Sequence, residues 1–124
     1  INMIGYVTVG TNDLPRAIEF YEKLFGSIGA TRVFEGEQGV AWSNGPMSPG
    51  FGVMTPFNQQ PATFGNGVMI AMVMDSKADV DKFYHTALSL GATDDGPPGA
   101  RSDTFYAAYF RDFDGNKIAA FFMT

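Results

Sequence analysis

Apolar residues follow two different spacings along the first half of the chain. Ile4, Tyr6 and Thr8 alternate with Gly5, Val7 and Val9, which is typical of a β-strand over 4–10. Apolar residues then recur every three to four positions from Leu14 to Phe25, which predicts a helix with a capping sequence at 11–13 and an end near Gly26. Three short stretches bounded by Gly and Pro predict strands at 31–35, 39–43 and 51–55.

The second half repeats this order. An apolar strand is predicted at 68–74, and a helix begins within 76–79 and ends near Gly91. A short strand at 93–95 is expected before a polar loop at 96–99. The final strands, at 104–111 and 117–123, flank a turn whose Asp114-Gly115 suits a tight hairpin.

Short words recur between the two halves. Phe20-Tyr21 returns as Phe83-Tyr84, an offset of 83 − 20 = 63, and Gly29-Ala30-Thr31 returns as Gly91-Ala92-Thr93, an offset of 91 − 29 = 62. The pattern predicts β-α-β-β-β twice in a single domain over 1–124. Module one covers about 1–57, the linker about 56–66, and module two about 67–124.

Composition removes several classes of function. The chain has 124 residues, no cysteine and one histidine, which excludes a disulfide scaffold, a thiolate metal site and a cysteine nucleophile. Eight Lys+Arg against 13 Asp+Glu give a net charge of −5, so nucleic acid is not an expected partner. No apolar run reaches the ~18 residues that a membrane helix needs. We expect no membrane association and a cytoplasmic location. His85 is expected to be exposed on the second helix, without a catalytic role.

The last hairpin and the first helix carry a family resemblance. Tyr106-Ala107-Ala108-Tyr109-Phe110-Arg111-Asp112-Phe113-Asp114-Gly115-Asn116-Lys117-Ile118, with Asn12-Asp13-Leu14, Arg16-Ala17 and Phe20-Tyr21 near the start, resembles the vicinal oxygen chelate superfamily. That superfamily includes glyoxalases, bleomycin-resistance proteins and extradiol dioxygenases. The resemblance implies an α+β fold in which paired βαβββ modules form a cupped, barrel-like mixed sheet with helices outside. It also implies a homodimer.

The resemblance also assigns positions for the family's metal ligands. The first-strand histidines of the two modules correspond to Tyr6 and Met69, and the last-strand glutamate of module two corresponds to Ala119. The remaining ligand falls within 51–54, and no Asp, Glu, Lys, Arg or His occurs between Gly39 and Met74. Phenol and thioether groups do not replace imidazole and carboxylate as ligands for a catalytic divalent metal. We therefore expect neither the family metal nor another cofactor.

Strand alternation places a set of mostly aromatic and Met side chains on the concave side of the cup. These side chains either bind a small-molecule ligand or fill the cup as core. Arg101 and Arg111 border the mouth, where they either meet an anionic group of the ligand or belong to a surface loop. The predicted ligand-binding residues are Tyr6, Thr8, Trp42, Met69, Ala71, Tyr109, Arg111, Ala119 and Phe121, with Ala107 on the same side.

Three functions remain open at this stage. The first is a bleomycin-resistance-like protein that binds a small molecule without a metal or turnover. The second is a glyoxalase- or dioxygenase-type enzyme whose metal is held by residues other than the family ligands. The third is a metal-free enzyme of the same fold that uses Tyr6, Tyr109 or Arg111 as polar groups.

Overall fold

The computed structural model describes residues 3–124, which form two compact units, the first ending at Thr63 and the second running from Phe64 to Thr124. Each unit has the order β-α-β-β-β. The first contains β1 (Tyr6–Gly10), α1 (Leu14–Gly26), β2 (Thr31–Gly36), β3 (Gly39–Ser43) and β4 (Gly50–Met54). The second contains β5 (Ile70–Val73), α2 (Lys77–Ser89), β6 (Thr93–Ala100), β7 (Phe105–Arg111) and β8 (Lys117–Met123).

In the first unit, α1 covers one face of a four-stranded sheet with strand order β1-β4-β3-β2. Asp13 begins the helix, because its carboxylate accepts a hydrogen bond from the backbone N–H of Arg16 at 3.2 Å. Strand β1 runs parallel to β4, and the other neighbouring strands are antiparallel. The helix buries an aromatic cluster against the sheet, in which Tyr21 lies 5.0 Å from Phe51 between ring centroids.

The second unit repeats this arrangement with strand order β5-β8-β7-β6. Ser76 caps α2 by accepting from the backbone N–H of Asp79 at 3.1 Å. The apolar face of the helix includes Phe83, which packs against Phe110 of β7 with ring centroids 6.0 Å apart. No helix within residues 3–124 is both long and apolar enough to cross a membrane.

These elements confirm the α+β class and the paired βαβββ modules. Barrel-like closure is not observed, because the strands described for residues 3–124 form two separate open sheets of four strands. The expected exposure of His85 is confirmed.

One predicted loop is wrong. Residues 96–99 belong to β6, which pairs with β7 through two register shifts. Strand β6 is an edge strand, where the prolines cost no internal sheet hydrogen bond. The Arg101 guanidinium also holds this segment, since it donates to the carbonyls of Pro97 at 2.7 Å and Gly99 at 3.0 Å.

Candidate functional site

Each sheet has a second face that its own helix does not cover. In the first unit this open face begins with Tyr6 and Thr8, because Val7 and Val9 point to the helix side. Strand β4 pairs with β1 residue by residue, so Gly50 lies beside Tyr6 and Gly52 beside Thr8. Tyr6 is 75% exposed, which leaves its ring free to contact a ligand.

Small residues on this open face allow a neighbouring side chain to lie close to the sheet. A Cβ atom built on Gly52 would lie 2.9 Å from the Met54 methyl carbon, and a Cβ on Gly39 would overlap the Met54 sulfur. The Met54 side chain therefore lies along the sheet, over positions where any larger residue would displace it.

A cavity of about 520 Å³ lies on this face, within the range of ordinary small-molecule sites. Its walls are mostly apolar and include no Asp, Glu, Lys, Arg or His side chain. The largest side chains that line it are those of Tyr6, Val33, Phe34, Met47 and Met54. Such a surface can contact a planar or apolar molecule through aromatic and thioether groups.

Trp42 does not belong to this cavity, which corrects its predicted position as a wall. It is 1% exposed on the helix side of β3, with its ring centroid 5.6 Å from that of Phe25. Its Nε1–H donates to Glu22 at 2.9 Å, and Glu22 also accepts from Arg32 at 2.6 Å. These hydrogen bonds, that from Arg32 first, hold the pKa of Glu22 below its usual value.

The open face of the second sheet carries most of the other predicted residues. Strand pairing aligns Ala71, Ala119 and Tyr109 in one row. The next row includes Phe121 and Ala107, and Met69 directly precedes β5. Ala119 is only 2% exposed, so its side chain offers little surface to a ligand.

Cations surround the Tyr109 ring. The Arg101 guanidinium carbon lies 5.3 Å from the ring centroid and the Lys117 ammonium 5.1 Å, both within cation–π range. Asp95 accepts from Arg111 Nε at 3.2 Å and lies 3.3 Å from Lys117 Nζ. Arg111 is thus already paired with a carboxylate, and the sequence analysis missed both Asp95 and Lys117 as its neighbours. The predicted pairing of the last two strands contained this signal, because it sets Lys117 opposite Arg111.

The strongest change in pKa occurs on the helix side of the second sheet. Burial, with the 2.7 Å hydrogen bond that Tyr84 donates to Asp94, raises the pKa of Tyr84 to about 12. The same bond, with one from the Gly96 backbone, lowers the pKa of Asp94. On β7, donation to Asp81 at 2.6 Å raises the pKa of the Tyr106 phenol. Both tyrosines connect α2 to the sheet, so these shifts reflect helix docking.

Comparison with known proteins assigns the family. The sequence profile of the Glyoxalase/Bleomycin resistance protein/Dioxygenase superfamily matches residues 3–120. The chain belongs to this superfamily. A crystal structure of a glyoxalase/bleomycin resistance protein from Albidiferax ferrireducens T118 is similar at 36% identity and a TM-score of 0.90, covering 99% of this chain and 100% of that one.

Solved structures at lower sequence identity share the fold. A putative glyoxalase from Bacillus halodurans is 21% identical with a TM-score of 0.78, over 98% of this chain and 96% of that one. Lactoylglutathione lyase from Agrobacterium tumefaciens is also 21% identical, with a TM-score of 0.73 over 98% and 94% of the two chains. A search of the curated proteins gives no significant match.

The residues at the superfamily's metal positions do not fit a metal. Tyr6, Met69 and Ala119 provide neither imidazole nor carboxylate, and strand β4 contains only Gly, Phe, Val and Met. Elsewhere in residues 3–124, no three His, Cys, Asp or Glu side chains lie close enough together to hold an ion.

Proposed function

We propose that this superfamily member is a small-molecule-binding protein that holds its ligand against the open, aromatic and Met-lined face of the first sheet. The observation that carries the proposal is the 520 Å³ cavity, whose walls combine Tyr6, Phe34, Met47 and Met54 without an ionic side chain. Its size and apolar lining suit a planar molecule with an aromatic or aliphatic ring system.

We propose the open face of the second sheet, taken by itself, as a further contact surface. Tyr109 and Phe121 provide aromatic surface, Met69 a flexible thioether and Ala71 a small exposed position. Ala119, which is 2% exposed, lies below its larger neighbours, and Arg111, already paired with Asp95, would donate a further hydrogen bond to the ligand. In the first unit, Thr8 of β1 is a further proposed binding residue.

Membership of the superfamily does not by itself distinguish a binding protein from an enzyme. The residues at the metal positions favour a binding protein. Bleomycin-resistance proteins sequester a ligand without a metal or turnover, and the loss of the metal ligands makes that mode the better match here. We further propose a homodimer, since large apolar side chains outside the cavity, such as Val68 and Val73, are exposed at 56% and 73%. A cytoplasmic location stays a prediction from the sequence. Light scattering on purified protein tests the dimer, and a monomeric mass at micromolar concentration would contradict it.

Calorimetric titration with 7-methoxy-4-methylcoumarin, a neutral and planar apolar probe, tests binding. We expect saturable binding that Tyr6→Ala weakens about tenfold, since an aromatic contact together with its buried area contributes on the order of 1.4 kcal/mol. Phe113→Ala removes a partly exposed aromatic from the β7–β8 turn and serves as the control. We expect this control to bind the probe as the unmodified protein does.

Two results would refute the proposal. One is the absence of saturable binding by the probe. The other is stoichiometric nickel, zinc, manganese or iron in the purified protein by elemental analysis, together with metal-dependent turnover of a glyoxalase substrate. The latter would establish a metal centre built from residues other than the family ligands.

A further inference from the structure

A second cavity lies in the first unit beyond Met54, at the ends of β1 and β4. It measures about 550 Å³, and Met54 lines both cavities. Tyr6 belongs to the first cavity and Thr8, two residues further along β1, to the second. The two cavities are therefore neighbouring compartments of one trough, with the Met54 side chain between them.

The second compartment differs from the first in its chemistry. It is the more polar of the two, because neutral polar side chains stand among apolar ones such as Met54 and Phe57. These polar residues are Thr8, Gln38, Thr55, Asn58, Gln60 and Thr63. Among the contacts of residues 3–124, the side chains of Thr8, Gln38, Gln60 and Thr63 form no hydrogen bond. Hydroxyl and carboxamide groups both donate and accept, so each of the four can bind a ligand hydroxyl in either sense.

The loop that closes this compartment is held in place by its own contacts. The Asn12 side chain pairs with the Ala62 backbone in both directions, accepting at 2.7 Å and donating at 3.1 Å. A Cβ on Gly10 would lie 3.0 Å from the Ala62 methyl group, a tighter contact than side chains ordinarily make, so glycine favours the close approach of the loop to β1. The polar groups are thus presented from a fixed segment as well as from the sheet.

Neither compartment contains an ionic partner for a charged ligand. No Asp, Glu, Lys, Arg or His lines either one, and Glu37, next to Gln38 in the β2–β3 turn, lies outside both linings. A charged group bound in the trough would lose part of its hydration without gaining an opposite charge, which disfavours its binding.

We infer that the trough takes a neutral two-part ligand, with a ring system in the Tyr6 compartment and a hydroxyl-rich group, such as a sugar, in the Thr8 compartment. This inference rests on the proposed function and specifies its ligand class. It assigns Met54 a contact with both parts of the ligand. It also makes Gln38 and its neighbours the groups that select for hydroxyls.

Three coumarins that share one ring system test the inference on the full chain. They are 7-methoxy-4-methylcoumarin, 4-methylumbelliferyl β-D-glucopyranoside and 4-methylumbelliferyl sulfate. We expect the glucoside to bind about tenfold more tightly than the methoxy compound, the effect of one or two net hydrogen bonds. We expect the sulfate to bind at least about tenfold more weakly than the methoxy compound, because its charge is unpaired in the trough.

The Gln38→Ala variant tests whether Gln38 is responsible for the preference for the glucoside. It should bring the ratio of the glucoside and methoxycoumarin affinities to near one, whereas Glu37→Ala, a truncation of the adjacent side chain in the same turn, should preserve the ratio. The relative affinities of the unmodified protein for the three probes test the inference without any variant. The test therefore holds even where a substitution impairs folding.

The outcomes distinguish failure of the inferred ligand class from failure of the proposed function. Equal binding of glucoside and methoxycoumarin, or tightest binding of the sulfate, overturns the inference and leaves the proposed function in place as long as Tyr6→Ala weakens the methoxy compound. Failure of all three probes to bind overturns both.

Discussion

Replacing Trp42 by phenylalanine separates the two faces of the first sheet. Trp42 is buried on the helix side, and Tyr6 is exposed on the open side. The substitution removes the hydrogen bond to Glu22, worth about 1 kcal/mol net. It also removes roughly 40 Å² of buried apolar ring, worth about 1 kcal/mol at 25 cal/mol per Å².

The free energy of unfolding should therefore fall by about 2 kcal/mol, which lowers Tm by about 6–10 °C for a chain of this length. Circular dichroism during thermal unfolding measures this, since the variant has no tryptophan to report by fluorescence. Coumarin affinity should change less than about twofold at a temperature where the variant is folded. Tyr6→Ala should behave in the opposite way, with a stability change under about 0.5 kcal/mol, as is usual for an exposed position, and a clear loss of affinity.

A Trp42→Phe variant that weakened coumarin binding as much as Tyr6→Ala, with Tm within about 2 °C of the unmodified protein, would contradict this assignment of the two faces. That pattern would place the ligand on the helix side of the sheet. It would also mean that the indole hydrogen bond contributes far less than hydrogen bonds of this geometry ordinarily do.

Further predictions concern stability. Because the folded pKa of Tyr84 is raised from 10.0 to about 12, its contribution is complete below pH 10 and is lost as pH rises from 10 towards 12; Tyr84→Phe should flatten this alkaline decline in urea titrations, and an unchanged decline would contradict the assignment. Gly39→Ala should destabilise the chain by more than about 2 kcal/mol, since its Cβ would overlap the backbone carbonyl of Val53. Gly52→Ala should cost under about 1 kcal/mol, since it meets first the mobile end of Met54; equal losses for the two glycines by urea unfolding would contradict this difference.

Much of the fold was predictable because its signals are local. Alternation over 4–10 placed Tyr6 and Thr8 on one side of β1, and helical spacing with capping residues fixed both helices to within a residue or two. The repeated order gave the two modules, since each unit buries one helix face against one sheet in the same way.

For Trp42, the alternation of large and small residues along β3 predicts the observed face. In β3 the bulky Val40 and Trp42 alternate with Gly39, Ala41 and Ser43, which puts the large side chains on the helix side and small ones on the open side. An aromatic residue type favours a cavity wall, whereas the pairing of β3 with β4 decides the face on which Trp42 lies.

Strand β6 and the cation cluster depend on contacts that local sequence does not encode. The Pro-Pro stretch became a strand because Arg101 holds the segment against the edge of the sheet, over the Tyr109 ring. The polar compartment likewise depends on the pairing of Asn12 with Ala62, fifty residues apart. Such long-range contacts become visible only once the chain is folded.

Methionine methyl NMR gives a direct test of a ligand site on the first sheet, because some methionines line the cavity and others do not. Met47 and Met54 line the first compartment, and Met123 is exposed at the end of β8. On titration with 7-methoxy-4-methylcoumarin, the methyl signals of Met47 and Met54 should shift together in a saturable manner while that of Met123 stays in place. Saturable binding that leaves Met47 and Met54 unshifted would contradict a ligand site on the open face of the first sheet.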